Sequence, residues 1–496
     1  MSEEKEGVGR VVKAGIWIYG QTIVNNVFGL LYWLAISRVA GSRILGLTSA
    51  TIGLATLITS FINLGIPLGI QRFLGREWGR NDARGLNSYY WSGFIFVTLV
   101  TLAVAAALYG LGAAGFATAN YTPVMFKMTA LLVALSVNFM TSSYLASVLR
   151  TDIQFLAVLV GNVLKLVVGV GLVLLGYGFI GAVIGYSTAL IVILAIGLSY
   201  IIKSIGLPRS IKYSLVKEIV KAGTASWIPN LIMMAGQWLG VIAVFGSAGA
   251  VSTGYYYIAF TLGNLILMIG FSVIGLLLPY LSSLRDGRKR TAWRAFRLSL
   301  IATSPLLFVL LLYPGVPLSL LGREYVAASD SLRLILLAGP AMMLYAVVNN
   351  LVYAYGMYGR VLKLGLSQNI PRLILYLLLV PLYGELGAAA SFTLGAFVSL
   401  PVVHYIARRV GFMINYRDVV LNLALPGALA LVAYVLHLGW VAGSLVVLLS
   451  YIAYARLGLI SREEVKMLAY TFIPREKLDP VYRRFKELID LLLPPS

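Results

Sequence analysis

Long apolar stretches follow one another along the chain and are separated by short polar segments. Each stretch holds about 20 residues or more, which is enough to cross roughly 30 Å of hydrocarbon as a helix. Within lipid, the backbone hydrogen bonds must be made inside the segment, so a helix is expected for each. The pattern predicts fourteen transmembrane helices, at 14–37, 44–70, 89–111, 124–149, 155–175, 179–202, 222–246, 253–282, 295–313, 331–355, 361–382, 386–407, 419–436 and 439–455.

The first six predicted helices and the next six are copies of one another. Val-Val-Lys-Ala-Gly at 11–15 recurs as Ile-Val-Lys-Ala-Gly at 219–223, and this offset is called the first shift. The Tyr-Gly-x-x-Gly-Ala turn at 177–182 recurs at 383–388, and this slightly smaller offset is called the second shift. Because an even number of crossings separates the copies, we expect a pseudo-two-fold axis along the membrane normal and a cavity between the two lobes.

This repeat predicts the domain organisation of an all-α polytopic membrane protein. We expect an N-lobe at 1–202, a cytoplasmic connector at 203–221, a C-lobe at 222–407 and a helical hairpin at 408–456. The hairpin is expected because its two apolar runs meet at a very short turn. A cytoplasmic amphipathic tail is predicted at 457–496, because its apolar residues recur on one helical face.

Composition narrows the class of protein. Hydrophobic residues make up 60% of the 496 residues and charged residues 11%, whereas soluble proteins carry about 25% charged side chains. The absence of cysteine excludes disulfides and thiolate ligands, and the two histidines, His404 and His437, are far apart in sequence. We therefore expect no metal site, no cofactor and no catalytic residues.

The net charge of +21 carries topological information. With the N-terminus in the cytoplasm, 32 of the 39 Lys and Arg residues fall on the inner side, as the positive-inside rule requires. Arg38, Arg43, Arg323 and Arg333 fall outside, and three more cations fall within spans. We expect a multi-pass plasma-membrane protein with both termini cytoplasmic. Nucleic acid is not an expected partner, because the basic residues lie between apolar runs.

Two of the cations within spans carry the candidate chemistry. Lys165 and Arg372 lie near the middle of the fifth and eleventh predicted helices, and the second shift places them one residue out of register. A cation at this depth costs about 2.5 to 3.5 kcal/mol and normally faces a polar cavity. No Asp or Glu lies well inside a predicted span. The pair therefore predicts a cavity that binds an anion such as phosphate or diphosphate.

The second shift also relates a second pair of cations, Lys127 and Arg333. They lie near the outer ends of the fourth and tenth predicted helices. These two side chains could line the cavity or extend to the outer headgroups. Uncharged polar residues inside spans could contact a hydroxyl-rich cargo or form hydrogen bonds between helices. The residues of this kind are Gln21, Asn25, Asn26, Asn138, Asn162, Gln237, Asn349, Asn350, Gln368 and Asn369. Of these, Asn25, Asn26, Gln237, Asn349 and Asn350 are the predicted site residues.

With these features the chain resembles the polysaccharide transporter branch of the multidrug/oligosaccharidyl-lipid/polysaccharide exporter superfamily, the oligosaccharide flippases. The resemblance rests on the duplicated blocks with a terminal hairpin, the Lys-Ala-Gly that opens each block, and the Tyr-Gly turns. It also rests on two stretches that follow the second and eighth predicted helices. These run from Gly65-Ile66-Pro67 to Gly79-Arg80-Asn81-Asp82 and from Pro279 to Asp286-Gly287.

The resemblance implies a two-lobed flippase that moves a polyprenyl-diphosphate-linked oligosaccharide from the inner to the outer leaflet by alternating access. In the related lipid II flippases, cations in the central cavity engage the diphosphate, and the terminal hairpin forms a groove for the lipid tail. Their first-helix arginine has no counterpart inside that span here, where Arg38 lies at its outer end, so Lys165 and Arg372 correspond to those cations by role.

Two other functions compete with this one. A cation-coupled multidrug antiporter of the same superfamily would need a carboxylate inside a lobe, and the first predicted helix has none. A membrane-embedded glycosyltransferase or ligase would need carboxylates on sizeable outer loops, and the largest such loop, 314–330, offers Glu324 and Asp330. We therefore expect a transporter, not an enzyme, that acts as a monomer among membrane lipids on a lipid-linked oligosaccharide.

Overall fold

The computed structural model describes residues 2–118, 120–275, 277, 278, 281, 284 and 286–460, with side chains from residue 14 on except 225, 226 and 229. The predicted amphipathic tail lies outside the described residues from 461 on, as do most of the residues from 276 to 285. Every regular element of the described part is a helix, which confirms the predicted fold class. Its α-helices are α1 (Ser2–Ile62), α2 (Ile66–Gly79), α3 (Ala83–Ala113), α4 (Pro123–Leu135), α5 (Asn138–Ser147), α6 (Thr151–Leu172), α7 (Gly178–Ile205), α8 (Tyr213–Gly275), α9 (Arg288–Leu312), α10 (Gly315–Leu321), α11 (Ser329–Leu337), α12 (Gly339–Ala354), α13 (Tyr358–Arg409), α14 (Tyr416–Val435), α15 (Trp440–Leu448) and α16 (Ser450–Arg456).

Nine helical stretches of the described chain are long and apolar enough to cross a membrane. Four of them are much longer than one crossing needs, namely Ala14–Ile62, Thr151–Ile205, Asn230–Gly275 and Tyr358–Arg409. Each of the four contains glycine with non-helical backbone angles. The segments on either side of each break are about 20 residues or longer, so each could cross separately. The predicted total of fourteen helices stays a prediction.

These glycine breaks repeat with the two shifts found in the sequence. Gly41 has φ 76° and ψ 177°, and Gly249, its equivalent by the first shift, has φ 80° and ψ −172°. Gly178 has φ 52° and ψ −133°, and Gly384, its equivalent by the second shift, has φ 53° and ψ −127°. Glycine adopts such positive φ angles without the steric cost that a Cβ atom would add. The backbone therefore supports the internal duplication at the level of single dihedral angles.

The described residues group into two compact units. The first comprises the described residues up to Tyr257 together with Val380–Glu385, and the second comprises the described residues from Ile258 to Leu379 and from Leu386 on. The predicted lobe and connector boundaries stay a prediction. In the first unit, α6 packs along α7 and α1, and α3 packs along α4. Glycines allow these close approaches, since a methyl group at Gly185 would overlap the backbone of Gly169.

A reciprocal contact joins equivalent positions of the two repeats within the first unit. A methyl group at Gly46 would overlap the carbonyl group of Ala250, and one at Gly254 would overlap the carbonyl group of Ser42. The first shift relates Gly46 to Gly254 and also relates Ser42 to Ala250. Glycine at both places lets the two backbones meet directly, as small residues do at many helix contacts in membranes.

The second unit is organised around α9, which packs against α12 and α14. Helix α14 in turn packs against α15, as expected for the predicted terminal hairpin. Polar side chains tie the hairpin to α9. The Tyr454 hydroxyl donates to the carbonyl of Asn422 at 2.5 Å, and Ser304 donates to the same carbonyl at 3.1 Å.

Candidate functional site

Lys165 lies on α6, and its side chain is almost covered by protein, with 6% of the residue exposed. Its Nζ donates a hydrogen bond to Oδ1 of Asn162, one turn earlier, at 2.6 Å. The Nδ2 of Asn162 donates to Oδ1 of Asn25 on α1 and to the carbonyl of Val158, both at 2.9 Å. Two spans are thus joined through the amide that holds the lysine.

The orientation of these two amides follows from the chemistry of the ammonium group. Lysine can donate and cannot accept, so the oxygen of Asn162 must point toward it and the NH₂ group must point away. The Asn25 atom that receives this NH₂ must then be its oxygen, which leaves the two N–H donors of Asn25 for another acceptor. Asn25 is exposed, so these donors are available to a ligand.

Two aromatic rings enclose the same ammonium. Nζ lies 5.3 Å from the ring centre of Tyr32 and 5.7 Å from that of Tyr186. The Tyr32 hydroxyl donates to the carbonyl of Ala182 on α7, which fixes the ring. Ring faces attract cations, most strongly where water is excluded. The rings continue through Trp33, which lies 6.5 Å from Tyr186 and packs edge-on against Tyr257 at 4.8 Å.

The charge of Lys165 is not neutralised by any carboxylate among the described residues. An ammonium carries three N–H donors, and within the described part of the chain one of them makes a hydrogen bond. The two rings attract the charge without accepting strong hydrogen bonds. The arrangement therefore has capacity to bind anionic oxygen atoms.

Arg372 lies on α13 in the second unit, and 5% of the residue is exposed. Its guanidinium carbon is 4.2 Å from the ring centre of Phe392, and its Nη2 donates to the Phe392 carbonyl at 3.4 Å. Phe392 is the equivalent of Tyr186 by the second shift. Both repeats therefore place a cation against an aromatic ring at an equivalent position.

The outer pair of predicted cations differs in its surroundings. Lys127 is half-buried, with its Nζ 5.8 Å from the ring centre of Tyr109. Arg333 forms an ion pair with Asp330 at 2.7 Å and donates to the carbonyl of Leu311 at 3.1 Å. The ion pair with Asp330 partly neutralises Arg333, so Arg333 attracts an anionic ligand less strongly than the unneutralised Lys165 does.

The other predicted site residues are spread over both units. Arg38, Asn26 and Gln237 are exposed in the first unit, and no contact between them and Lys165 is found among the described interactions. Asn349 and Asn350 are half-buried in the second unit. The Nδ2 of Asn350 donates to the carbonyl of Ile274 at 3.2 Å, which is the hydrogen-bonding alternative for such residues. Of the predicted set, Asn25 is joined to Lys165 through Asn162.

Sequence reasoning did not select the rings that enclose the cations. Tyr32 is one of several aromatic residues that could stack on sugar rings, but an interfacial belt explains most Tyr and Trp in such chains. Tyr32, Tyr186 and Phe392 were therefore absent from the predicted site. The second shift relates Tyr186 to Phe392. The same shift relates Lys165 to Arg372 to within one residue. That coincidence was a usable signal.

Comparisons with known proteins place this geometry in context. The polysaccharide biosynthesis protein family matches residues 50–330. A comparison with curated protein sequences found no significant match.

Among solved structures, the chain is similar to a lipid II flippase, MurJ, in an inward closed conformation, at 16% identity over 89% of this chain and 98% of that chain, with a TM-score of 0.74. It is also similar to an inward-facing multidrug resistance MATE family transporter of the MOP superfamily, at 13% identity over 80% and 98% of the two chains, with a TM-score of 0.61. A MATE protein in a bent conformation matches at 13% identity over 81% and 95%, with a TM-score of 0.52. At such identities the likeness establishes the fold, which is that of membrane transporters.

Proposed function

The chain belongs to the polysaccharide biosynthesis protein family, and from this membership and the surroundings of Lys165 we propose that it is a lipid-linked oligosaccharide flippase. It moves a polyprenyl-(di)phosphate-linked oligosaccharide from the inner to the outer leaflet by alternating access, for the assembly of a cell-surface glycan. It performs no covalent chemistry, acts as a monomer, and holds both termini in the cytoplasm.

The observation that carries this proposal is the buried, unneutralised ammonium of Lys165. An uncompensated charge inside a protein is costly, so its retention calls for a function. One hydrogen bond to Asn162 and two aromatic rings hold the ammonium in place and leave donors for further oxygen atoms. A phosphate or diphosphate group supplies several anionic oxygens in a small volume and suits such a site.

Arg372 is the second cation of the proposal. A guanidinium group presents donors in a planar fork that matches two phosphate oxygens, whereas an ammonium acts as a point charge. Each of the two repeats contributes one such cation, on equivalent helices, to the proposed transport cycle. The N–H donors of Asn25 add a neutral contact for a phosphate or sugar oxygen. Roles for Lys127, Arg333, Arg38, Asn26, Gln237, Asn349 and Asn350 in binding the saccharide are part of the same proposal.

An anionic cargo also supplies a driving force. Where the cell interior is negative, the outward movement of each negative charge is favoured by about 2.3 kcal/mol per 100 mV. Export of a diphosphate could then proceed without nucleotide hydrolysis. P-loop NTPases bind phosphate through a glycine-rich Walker sequence. This chain carries no such sequence.

A cation-coupled drug antiporter is the second candidate, because the fold is also similar to that of MATE transporters. Such a protein binds its coupling ion at a carboxylate inside the membrane. The positive charge of Lys165 would instead repel a cationic drug, so charge favours the flippase.

The test is flipping of a fluorescent polyprenyl-diphosphate saccharide in proteoliposomes, followed by chemical quenching of the label in the outer leaflet. We expect Lys165→Met and Arg372→Gln each to lower the initial rate at subsaturating cargo by about 10- to 150-fold, since a hydrogen bond to a charged group contributes about 1.5 to 3 kcal/mol. The control is Lys363→Met, which removes an exposed lysine on the same helix as Arg372. It should flip at the rate of the unaltered protein.

Unchanged rates in both Lys165→Met and Arg372→Gln would remove the basis for a cationic site. Proton- or sodium-dependent efflux of a cationic drug from vesicles, without flipping, would instead establish the antiporter.

A further inference from the structure

The segment that joins α7 to α8 is attached to the N-terminal part of α3 by side-chain hydrogen bonds. We call residues 205–213 the connector strip. Asn87 donates to two backbone carbonyls of the strip at 2.9 Å each and accepts a backbone N–H at 3.1 Å. The indole of Trp91 donates to a third carbonyl, and the hydroxyl of Ser92 accepts a second N–H, both at 3.0 Å. All three side chains are buried, so the strip has a defined inner face.

The side of the strip that faces away from α3, called its outer face, exposes large apolar side chains. Leu207, Ile211 and Tyr213 are 65%, 58% and 67% exposed. Residues 206–212 of the strip are not helical and lie between α7, which ends at Ile205, and α8, which begins at Tyr213. The stretch long and apolar enough to cross a membrane that contains α7 also ends at Ile205. Exposed apolar side chains in this position are favourable when they reach the boundary between headgroups and acyl chains.

Exposed cations lie in and beside the strip. Lys203, Arg209, Lys212 and Lys217 are exposed, and Lys217 Nζ lies 5.1 Å from the ring centre of Tyr213. The acid within residues 203–221 is Glu218, whose carboxylate accepts a hydrogen bond from the Tyr89 hydroxyl at 2.9 Å. The strip therefore combines positive charge with apolar side chains and carries little negative charge of its own.

We infer that the connector strip binds anionic lipid headgroups of the leaflet at which α7 ends. Leu207, Ile211 and Tyr213 enter the acyl boundary, and Arg209 and Lys212 contact the headgroup phosphates. Two features favour a lipid over a soluble anion. The cations alternate along the chain with the apolar residues Leu207, Ile211 and Tyr213, and those exposed apolar side chains need acyl chains. The strip is also continuous with helix α7, which spans the membrane.

A tryptophan reporter tests this inference. Tyr213→Trp places an indole on the outer face, and the signal of Tyr213→Phe is subtracted to remove the native tryptophans. In nanodiscs, we expect brominated phosphatidylglycerol to quench the reporter more than brominated phosphatidylcholine at equal bromine content. Adding Arg209→Gln and Lys212→Gln should reduce this preference at least about threefold, since each cation near an anionic surface contributes a measurable share of the attraction.

The matched control carries Arg80→Gln and Arg84→Gln in the same reporter background. These two arginines are also exposed but are neighbours of the polar Asn81 and Asp82, so the preference should persist. Native mass spectrometry of the protein with its natural Tyr213 provides a second measurement, in which the Arg209→Gln, Lys212→Gln variant should retain fewer phosphatidylglycerol molecules. Equal quenching by both lipids, or quenching by neither, would overturn the inference. Unchanged lipid retention in that double variant would overturn it as well.

Discussion

Replacing Asn162 by aspartate places a carboxylate next to the buried ammonium. Lys165 Nζ and the Asn162 oxygen are 2.6 Å apart, and opposite unit charges at that separation attract by about 6 kcal/mol at an effective dielectric constant of about 20. Burying the new carboxylate costs several kcal/mol, and the hydrogen bond that Asn162 Nδ2 donates to the carbonyl of Val158, worth about 1 kcal/mol, is lost. We therefore expect a net stabilisation of about 1 to 2 kcal/mol relative to the unpaired cation. Asn25 can rotate its amide to donate to the new oxygen.

The same substitution should impair transport. The internal carboxylate competes with the phosphate of the cargo for the ammonium, so the cargo loses a charge-assisted hydrogen bond of about 1.5 to 3 kcal/mol. Flipping at subsaturating cargo should fall by about 10- to 150-fold. Thermal unfolding in detergent should move to higher temperature in the same preparation.

Opposite changes in stability and activity separate this reasoning from simple structural damage, which lowers both. Asn162→Leu is the matched control, because it removes the acceptor of Lys165 without adding charge and should lower stability. In the double variant Asn162→Asp, Lys165→Met, the buried carboxylate has no cation beside it, and the stabilisation should be lost. Full flipping activity in Asn162→Asp would refute the assignment of Lys165 to the cargo.

Further predictions concern the packing of the helices, with thermal unfolding as the measurement unless another is named. Gly46→Ala should destabilise the protein by about 1 to 3 kcal/mol, because its methyl group would overlap the carbonyl of Ala250. Gly29→Ala should stabilise by about 0.5 to 1 kcal/mol, because nothing lies within 4 Å of the added atom; equal effects of the two would contradict the glycine contact. Asn87→Ala should cost about 2 to 4 kcal/mol through three lost hydrogen bonds and should expose the connector strip to protease, so persistent resistance would argue against that attachment. Tyr454→Phe should cost about 1 kcal/mol through the lost hydroxyl, and no change would show that its hydrogen bonds contribute little.

The sequence predicted the class of protein, the helical fold and the internal repeat. The length of the apolar runs is set by bilayer thickness, and the scarcity of charge is set by the cost of polar groups in hydrocarbon, so both are readable without coordinates. The two shifts that relate the repeats also relate the glycine breaks at Gly41 and Gly249 and at Gly178 and Gly384. Lys165 and Arg372 could be selected because a cation at mid-span is rare.

Tertiary structure decided what surrounds those cations. The surroundings of Lys165 on α6 include the ring of Tyr32 and, through Asn162, the amide of Asn25, and both of these residues lie on α1, several helices earlier in the sequence. In a soluble helix the apolar stripe shows which face is buried, but a helix in lipid is apolar on its lipid face as well as its protein face. The sequence therefore left the rotation of each helix open, and with it the partners that a polar side chain finds on other helices. The amide of Asn162 and the carboxylate of Asp330 lie three residues from Lys165 and Arg333 along the chain. Packing resolved the rotation, and it gave Lys165 two aromatic rings and Arg333 the carbonyl of Leu311.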